Sequence, residues 1–505
     1  MKIRRTLTGR AHRDAKNRTP FRLSMLCCAI AGLAAASAPA HADELSDLKA
    51  QIQALSSKLN QLEITQKKTN EAVKAVSTSY PPLVAAPGKP APDLTPTRAE
   101  QASLDAEYVR RGTIPGSFIV PGTNTSLSIG GFINFQGIYD PTENLGPKFS
   151  IGNLDPAGSA ARKQSQNSFH FQDKVSRLVV GTNTPSPYGP ITTNFGLDFY
   201  GYVPGGDNNQ ALQNNSWGAR IVTAYGTIGH FLVGMANSNF IDDPDSPETF
   251  DNAGPAGLPA ERVPQLRWTQ PMGNGANVSF SLENPQTGYQ DTQGNIEAWT
   301  KANTMPDITA KYEREGAWGH FQLSGEAQDL GYTDKNGMRT RVFAPGALIG
   351  ATFNVPKSGG GYGDDNFGGQ AWYGALGHYM PDDFGANVPS ALAVDNGTSA
   401  SPTGATQVVL QPLMGGTLFY QHWWTSRLRS TLAFGYNHQR LASFLPADTN
   451  NAVTIKTVHL NLIYRPVKTV DLGVEVAWGQ KTFQASTGYG KQSARRIEVG
   501  GIWHF

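Results

Sequence analysis

Seven basic residues are placed to act on an anion. Arg177 (in SRLVV), Arg220 (GARIV), Arg267 (QLRWT), Lys311, Arg429 (RLRST), Arg465 and Arg496 each fall on the polar side of a segment whose other side is apolar. The alternation has a period of two, as in a strand. A single such arginine is ordinarily half of a structural ion pair, and Asp198, Glu283, Asp307, Glu313, Glu326, Glu475 and Glu498 are available as partners. Several of them projecting into one narrow lumen do something else. A low-dielectric wall focuses their field, and planar guanidinium forks favour carboxylates. An acidic counterpart runs from Phe240 to Gly257 (FIDDPDSPETFDNAGPAG), too long for a tight turn and too rich in acids and proline to continue a strand. It is expected to fold into the lumen as a constriction, with Asp242, Asp243, Asp245, Glu248 and Asp251 facing the wall arginines. The same carboxylates offer oxygens to Ca2+, although their spacing is not that of an EF-hand loop. The plain alternative is a long surface loop.

Enzyme chemistry finds little support. The chain has no G-x-S-x-G elbow, no P-loop and no pair of histidines at metal-ligand spacing. No catalytic residue, no cofactor and no metal site is expected elsewhere. A barrel-embedded lipase would need a Ser and His set that no spacing singles out.

Positioning those basic side chains is the work of many short strands. In Leu127 to Tyr139, Leu127, Ile129, Ile133, Phe135 and Tyr139 alternate with Ser128, Gly130, Asn134 and Gln136, and the pattern returns in 191–200, 276–283, 320–328, 428–437 and 458–478. Aromatic residues close the apolar faces at strand ends (Phe199, Tyr225, Tyr436, Tyr464, Trp478), as an interfacial girdle requires. Connections alternate between tight ones, such as Thr425-Ser426-Arg427 and Pro466-Val467-Lys468-Thr469, and long ones, such as Glu143 to Asn167, Gly201 to Asn215, Gly331 to Arg341 and Met380 to Thr406. That is the topology of an all-β transmembrane barrel. Residues 117–505, at roughly 24 per strand and loop, predict about 16 antiparallel strands around an aqueous lumen. The last segment, RIEVGGIWHF, puts Trp503 and Phe505 on the apolar face and resembles the terminal signal read by the barrel-assembly machinery.

Ahead of the barrel, residues 1–42 read as a secretory leader, with basic residues, the apolar run Leu23 to Ala36 and Ala40-His41-Ala42 before the cleavage site. Both cysteines lie inside it, so the mature chain is expected to hold no disulfide. Eight of the 42 Lys and Arg and one of the 40 acids also fall there, leaving 34 against 39, a net of −5. Nothing resembles a nucleic-acid binder. Residues 43–76 carry a heptad seam: Leu45, Ile52, Leu59, Gln66 and Val73 at a, with Leu48, Leu55, Leu62, Thr69 and Val76 at d. This predicts a short α-helical coiled coil, a stalk that needs partner copies. The Pro-rich stretch 77–116 reads as an extended linker.

The chain resembles the DcaP-like trimeric outer-membrane porins. The resemblance is carried by GSFIVPGTNTSLSIGGFINFQGIYD (Gly116 to Asp140), YGPITTNFGLDFYG (Tyr188 to Gly201), the run from Arg220 to Gly257, QLRWTQ, SFSLENP, MPDITAKY and YQHWWTSRLRSTLAFGY (Tyr420 to Tyr436). It departs from the family at Met235-Ala236-Asn237, where members have Gln-Thr-Trp before Ser-Asn-Phe. The resemblance implies a homotrimer in the outer-membrane lipid of a Gram-negative cell, a coiled coil in the periplasm, and passive uptake of small anions such as dicarboxylic or aromatic acids. Competing readings are a general, unselective porin and a structural tether from outer membrane to cell wall through the stalk.

Overall fold

The structure is a computed structural model that describes residues 110–505, apart from 202–217, 293–295, 298–302, 334–338, 358–361, 381, 385–390, 399–400, 447–450 and 486–487. The leader, the heptad seam and all but the end of the Pro-rich linker therefore lie outside the described residues.

Alternation along the sequence becomes inside and outside. The short β1 (Phe118–Ile119) leads into β2 (Ser126–Asp140), β3 (Ser168–Gln172), β4 (Arg177–Thr184), β5 (Ile191–Gly201), β6 (Gly218–Ile228) and β7 (Phe231–Asn237). Then come β8 (Arg262–Gly273), β9 (Ala276–Glu283), β10 (Tyr289–Asp291), β11 (Ile296–Glu297), β12 (Asp307–Gly316), β13 (Gly319–Thr333), β14 (Arg339–Pro356) and β15 (Tyr362–Gly374). The chain finishes with β16 (Leu392–Thr398), β17 (Ser401–Leu410), β18 (Leu413–Thr425), β19 (Leu428–Gln439), β20 (Ala452–Val467), β21 (Val470–Ala485) and β22 (Gly488–His504).

β3 and β4 share one place in the sheet, each pairing with one half of β2. Counting them once, and leaving out β1 and the loop strands β10, β11, β16 and β17, the wall has the expected 16 antiparallel strands. It closes where β22 pairs with β2, from Phe132 opposite His504 to Tyr139 opposite Ile497. Phe505 completes the seam by exchanging backbone hydrogen bonds of 3.1 Å with Gly131. A closed barrel has no strand edge, so wall carbonyls and amides pair with one another in place of water.

Large apolar side chains point outward, including Ile129, Ile133, Phe135, Leu323, Leu418, Val499 and Trp503, while Asn134, Gln136, Gln322, Thr417 and Glu498 point in and are buried. No described helix is long and apolar enough to cross a membrane, and crossing falls to the strands. Two of the expected loops are shorter or more ordered than the sequence suggests. β13 and β14 stay paired as far as Thr333 opposite Arg339, so only 334–338 separates them. The segment Met380 to Thr406 contains β16 and the start of β17, and β16 pairs in parallel with β10 in a separate four-stranded sheet.

Long loops at one end also pack inward. Phe149, Ile151 and Leu154 of the loop after β2 bury against Ala256, Ile455, Ala477 and Ala494. Phe240 and Ile241 bury against Leu348, Trp372, Leu376, Tyr379 and Met380. The loop between β7 and β8 needs Gly257, whose φ of +79° is left-handed and whose added Cβ would collide with the Tyr436 carbonyl. Gly257→Ala is expected to cost about 1–3 kcal/mol, read as a lower heat-unfolding midpoint together with faster amide exchange at 249–258.

Candidate functional site

The loop 238–261 crosses the lumen from one wall strand to the next. At its start, Ser238 Oγ and the Asn239 amide donate to Glu283 of β9 at 2.6 and 2.8 Å. Gln322 and Ser324 of β13 donate to the Phe240 carbonyl at 3.1 and 2.5 Å. Asp242 lies 2.9 Å from Nε2 of His320, and Asp245 accepts from Thr352 of β14. Further on, Glu248 accepts from Arg429 Nε and Nη2 at 2.6 and 2.5 Å and from Gln421 at 2.8 Å. The Phe250 amide donates to Glu475 at 2.6 Å, Asp251 meets Arg496 at 3.3 Å, and the Ala256 amide donates to Thr457 at 2.8 Å. Wall glycines make room for it: a Cβ at Gly435 would overlap Ala256, and one at Gly473 the Phe250 ring. The loop is thus fastened along the arc from β9 round to β22.

Of the acidic residues, Asp242, Asp245 and Asp251 are buried, Glu248 is half-buried and Asp243 is exposed. Oδ2 of Asp242 and Oδ2 of Asp245 have no hydrogen-bond partner. Among the described residues, no third His, Cys, Asp or Glu donor converges with them.

Five of the seven basic residues are committed to the wall. Arg496 is fully buried with Asp140, Asp251 and Glu498, and Arg429 is 2% exposed between Glu248 and Asp471. Arg465 forks onto Asp471 at 2.8 and 2.7 Å, and Lys311 meets Glu313 at 2.7 Å. Arg267 donates to Gln265 at 2.8 Å and to the Asn237 carbonyl. The first four neutralise carboxylates that the barrel interior brings together, whereas Arg267 is held by neutral acceptors.

Arg177 and Arg220 are different. They share Asp198, Arg220 at 2.9 and 2.6 Å and Arg177 only at 4.0 Å, and Nε of Arg177 is buried without a partner. Two guanidinium charges on one carboxylate leave an excess of about one positive charge. The guanidinium of a third cation, Arg262, lies beside them with no side-chain hydrogen bond or ion pair among the described residues, although Asp198, Asp243 and Glu261 act on it through space, and Lys148 reaches the same space from its ion pair with Asp382 at 2.6 Å. Together they line a cavity of about 320 Å³ with Met235, Leu258, Glu261 and Asp382. The Tyr200 ring is 5.3 Å from both the Arg220 guanidinium and the Lys148 ammonium, a cation–π arrangement. Burial pushes the Glu261 carboxyl up to about 7 although Arg262 is adjacent, so near neutrality it is often protonated. The cavity lies on the arc, β4 to β8, that the crossing loop leaves largely unfastened.

Sequence reasoning missed Arg262. By strict alternation it falls in register with outward Pro264 and Leu266, and only its place at the first residue of β8 lets it turn toward the lumen. Its proximity to Glu261, both just after the acidic stretch, is the one signal the sequence held. A larger groove of about 500 Å³ lies on the outer wall among Phe321, Ile349, Phe353, Leu418 and Phe434; it carries no charged group and belongs to the lipid-facing surface. Trp503 and Phe505 stay outward-facing at the seam.

Comparison with known proteins agrees with this architecture. The outer membrane channel DcaP of Acinetobacter baumannii is similar in structure, with a TM-score of 0.60 at 19% identity over 79% of this chain and 100% of that one, which shows the shared fold. More distant similarity is found to the anion-selective porin from Comamonas acidovorans, with TM-score 0.45 and 11% identity over 75% of this chain and 100% of that one. OmpT of Vibrio cholerae gives 0.43 and 8%, over 75% and 98%. A search of curated proteins finds no match. The Porin subfamily profile matches residues 101–500. With that match over most of its length and a closed 16-strand barrel around a polar lumen, the chain belongs to the Porin subfamily, whose members are outer-membrane channels and not enzymes.

Proposed function

We propose that the protein is a passive diffusion channel for small anions, dicarboxylic and aromatic acids among them. The observation that carries this reading is the group Arg177, Arg220 and Arg262 around one lumenal cavity, where Asp198 is the one carboxylate in ion-pair contact with them among the described residues and Asp243 of the crossing loop acts on Arg177 and Arg262 only through space. A carboxylate entering there meets planar guanidinium groups able to bind it bidentately, Arg262 with no side-chain partner among the described residues, and the low-dielectric barrel wall behind them focuses their field. At about 320 Å³ the cavity sits at the small end of ligand sites, suited to a solute with two carboxylates held apart by a short carbon chain or a ring. The loop Phe240 to Gly257 sets the size limit in this reading. The resemblance further supports a trimer whose stalk, with its seam from Leu45 to Val76, stands in the periplasm, and a terminal Trp503 and Phe505 read by the assembly machinery.

The test is single-channel current in planar bilayers, titrated with a four-carbon dicarboxylate and, separately, with a neutral diol of the same length. Saturable block by the dicarboxylate alone supports selectivity. Equal, non-saturating effects of both would mean a general porin. Because Glu261 takes up a proton near neutrality, anion preference is expected to strengthen as pH falls from about 8 to about 6. Protonation there removes a negative charge beside Arg262, so the preference should become flat with pH in Glu261→Gln.

A further inference from the structure

Where β12 begins and β13 nears its long-loop end, three ionisable side chains converge without the partners that burial demands. Asp307 and Glu326 come from the wall, and His378 from the turn Gly377–Tyr379 in the loop after β15. Each residue is at most 5% exposed, and their donor atoms all lie within 4.8 Å of one another. Both carboxylate oxygens of Glu326, Oδ1 of Asp307 and Nδ1 of His378 have no hydrogen-bond partner. The hydroxyl of neighbouring Tyr379, which faces Glu326 together with Gln328, meets Ser238 at 3.0 Å. Glu283, the cross-strand partner of Asp307, is already satisfied by Ser238, Asn239 and Thr309.

One distance is telling. Nε2 of His378 and Oε1 of Glu326 are 3.6 Å apart, too far for an N–H···O hydrogen bond of about 2.7–3.2 Å. It is close to the spacing of two donors on a single ion with bonds of about 2.0–2.2 Å. Orphaned buried carboxylates are costly, and a divalent cation would cancel both charges at once. An imidazole nitrogen in the set points away from Ca2+ and Mg2+, which prefer oxygen donors, toward a first-row transition ion.

We propose that Asp307, Glu326 and His378 form a binding site for one divalent transition-metal ion of the Mn2+ to Zn2+ group. The ion would pin the turn Gly377–Tyr379 to the wall at β12 and β13. That turn packs through Leu376, Tyr379 and Met380 on Phe240 and Ile241, so the same ion would steady the root of the lumen-crossing loop. The sequence hides this site because its members are far apart, with His378 in a loop and neither carboxylate in a recognisable spacing to it.

The experiment is isothermal titration of Zn2+, with Mn2+ in parallel, into the full-length protein extracted from membranes and stripped with a chelator. Glu326→Gln and His378→Gln are measured beside it. Glu326→Gln keeps size and removes a buried charge, so it preserves the barrel even if His378→Gln does not. The expected result is one site per chain for at least one of the two ions, weakened tenfold or more in Glu326→Gln. Absence of a stoichiometric site for both ions in the unaltered protein would overturn the proposal, as would equal binding by Glu326→Gln, which would mark adventitious surface sites.

Discussion

Replacing Arg496 with alanine should leave little folded barrel. Its guanidinium forks onto Asp140 at 2.8 and 2.8 Å, reaches Asp251 at 3.3 Å and Glu498 at 3.2 Å, and donates to the Gly146 carbonyl at 2.6 Å. All four side chains are buried. One cation therefore holds together β2, β22, the loop after β2 and the crossing loop. Removing it strands three carboxylates in a site they reach only because of it, and breaking a buried pair costs about 3–5 kcal/mol even when one carboxylate is involved. Arg496→Lys should be intermediate, since an ammonium cannot fork onto Asp140 while also reaching Asp251. Arg495→Ala, one residue away and exposed, should behave like the unaltered protein. The measurement is the fraction of heat-modifiable barrel recovered on refolding from urea. Near-normal recovery of Arg496→Ala would show that the buried network is not what fastens the loop.

The second large effect concerns the solute. Arg177→Ala, Arg220→Ala and Arg262→Ala together should weaken dicarboxylate block tenfold or more, about 1.4 kcal/mol, because charge-assisted hydrogen bonds contribute about 1.5–3 kcal/mol each where a partner is desolvated. Refolding yield should fall far less than for Arg496→Ala. Arg177 and Arg220 share one carboxylate, and Arg262 has none within ion-pair distance among the described residues, so Asp198 is the one carboxylate there that loses ion pairs. Separating the two classes of arginine in this way is what distinguishes a solute site from a wall brace.

Much of the barrel was legible because two solvents meet at a sheet one residue thick. Lipid outside and water inside impose a period of two on every strand, and β2, β12, β20 and β22 show it without ambiguity in Ile133 against Asn134 or Val499 against Glu498. The inward-folding loop was legible for a compositional reason, since its prolines and acids can neither join the sheet nor face lipid. Which arginines are neutralised was not legible. Arg496 and Asp140 are 356 residues apart and Arg429 and Glu248 are 181, so their pairing depends on barrel closure and on loop path, which local spacing does not encode. Gly331 reads as a loop residue, yet it pairs with Arg341 while the same arginine forks onto Asp329, extending β13 and β14 past the point where alternation fades. Arg262 escaped because a strand's first residue need not obey the strand's own alternation.

The most direct measurement is the reversal potential of the channel in a potassium chloride gradient at ionic strength near 0.1 M, where charges within about 10 Å remain unscreened. Its sign reports which ion the lumen prefers. The arginine cluster predicts a reversal potential on the chloride side for the unaltered protein, moving to zero or to the potassium side in the Arg177, Arg220 and Arg262 triple variant. A cation-selective unaltered channel, or an anion-selective one that the triple variant leaves unchanged, would contradict the claim that these three residues choose the solute.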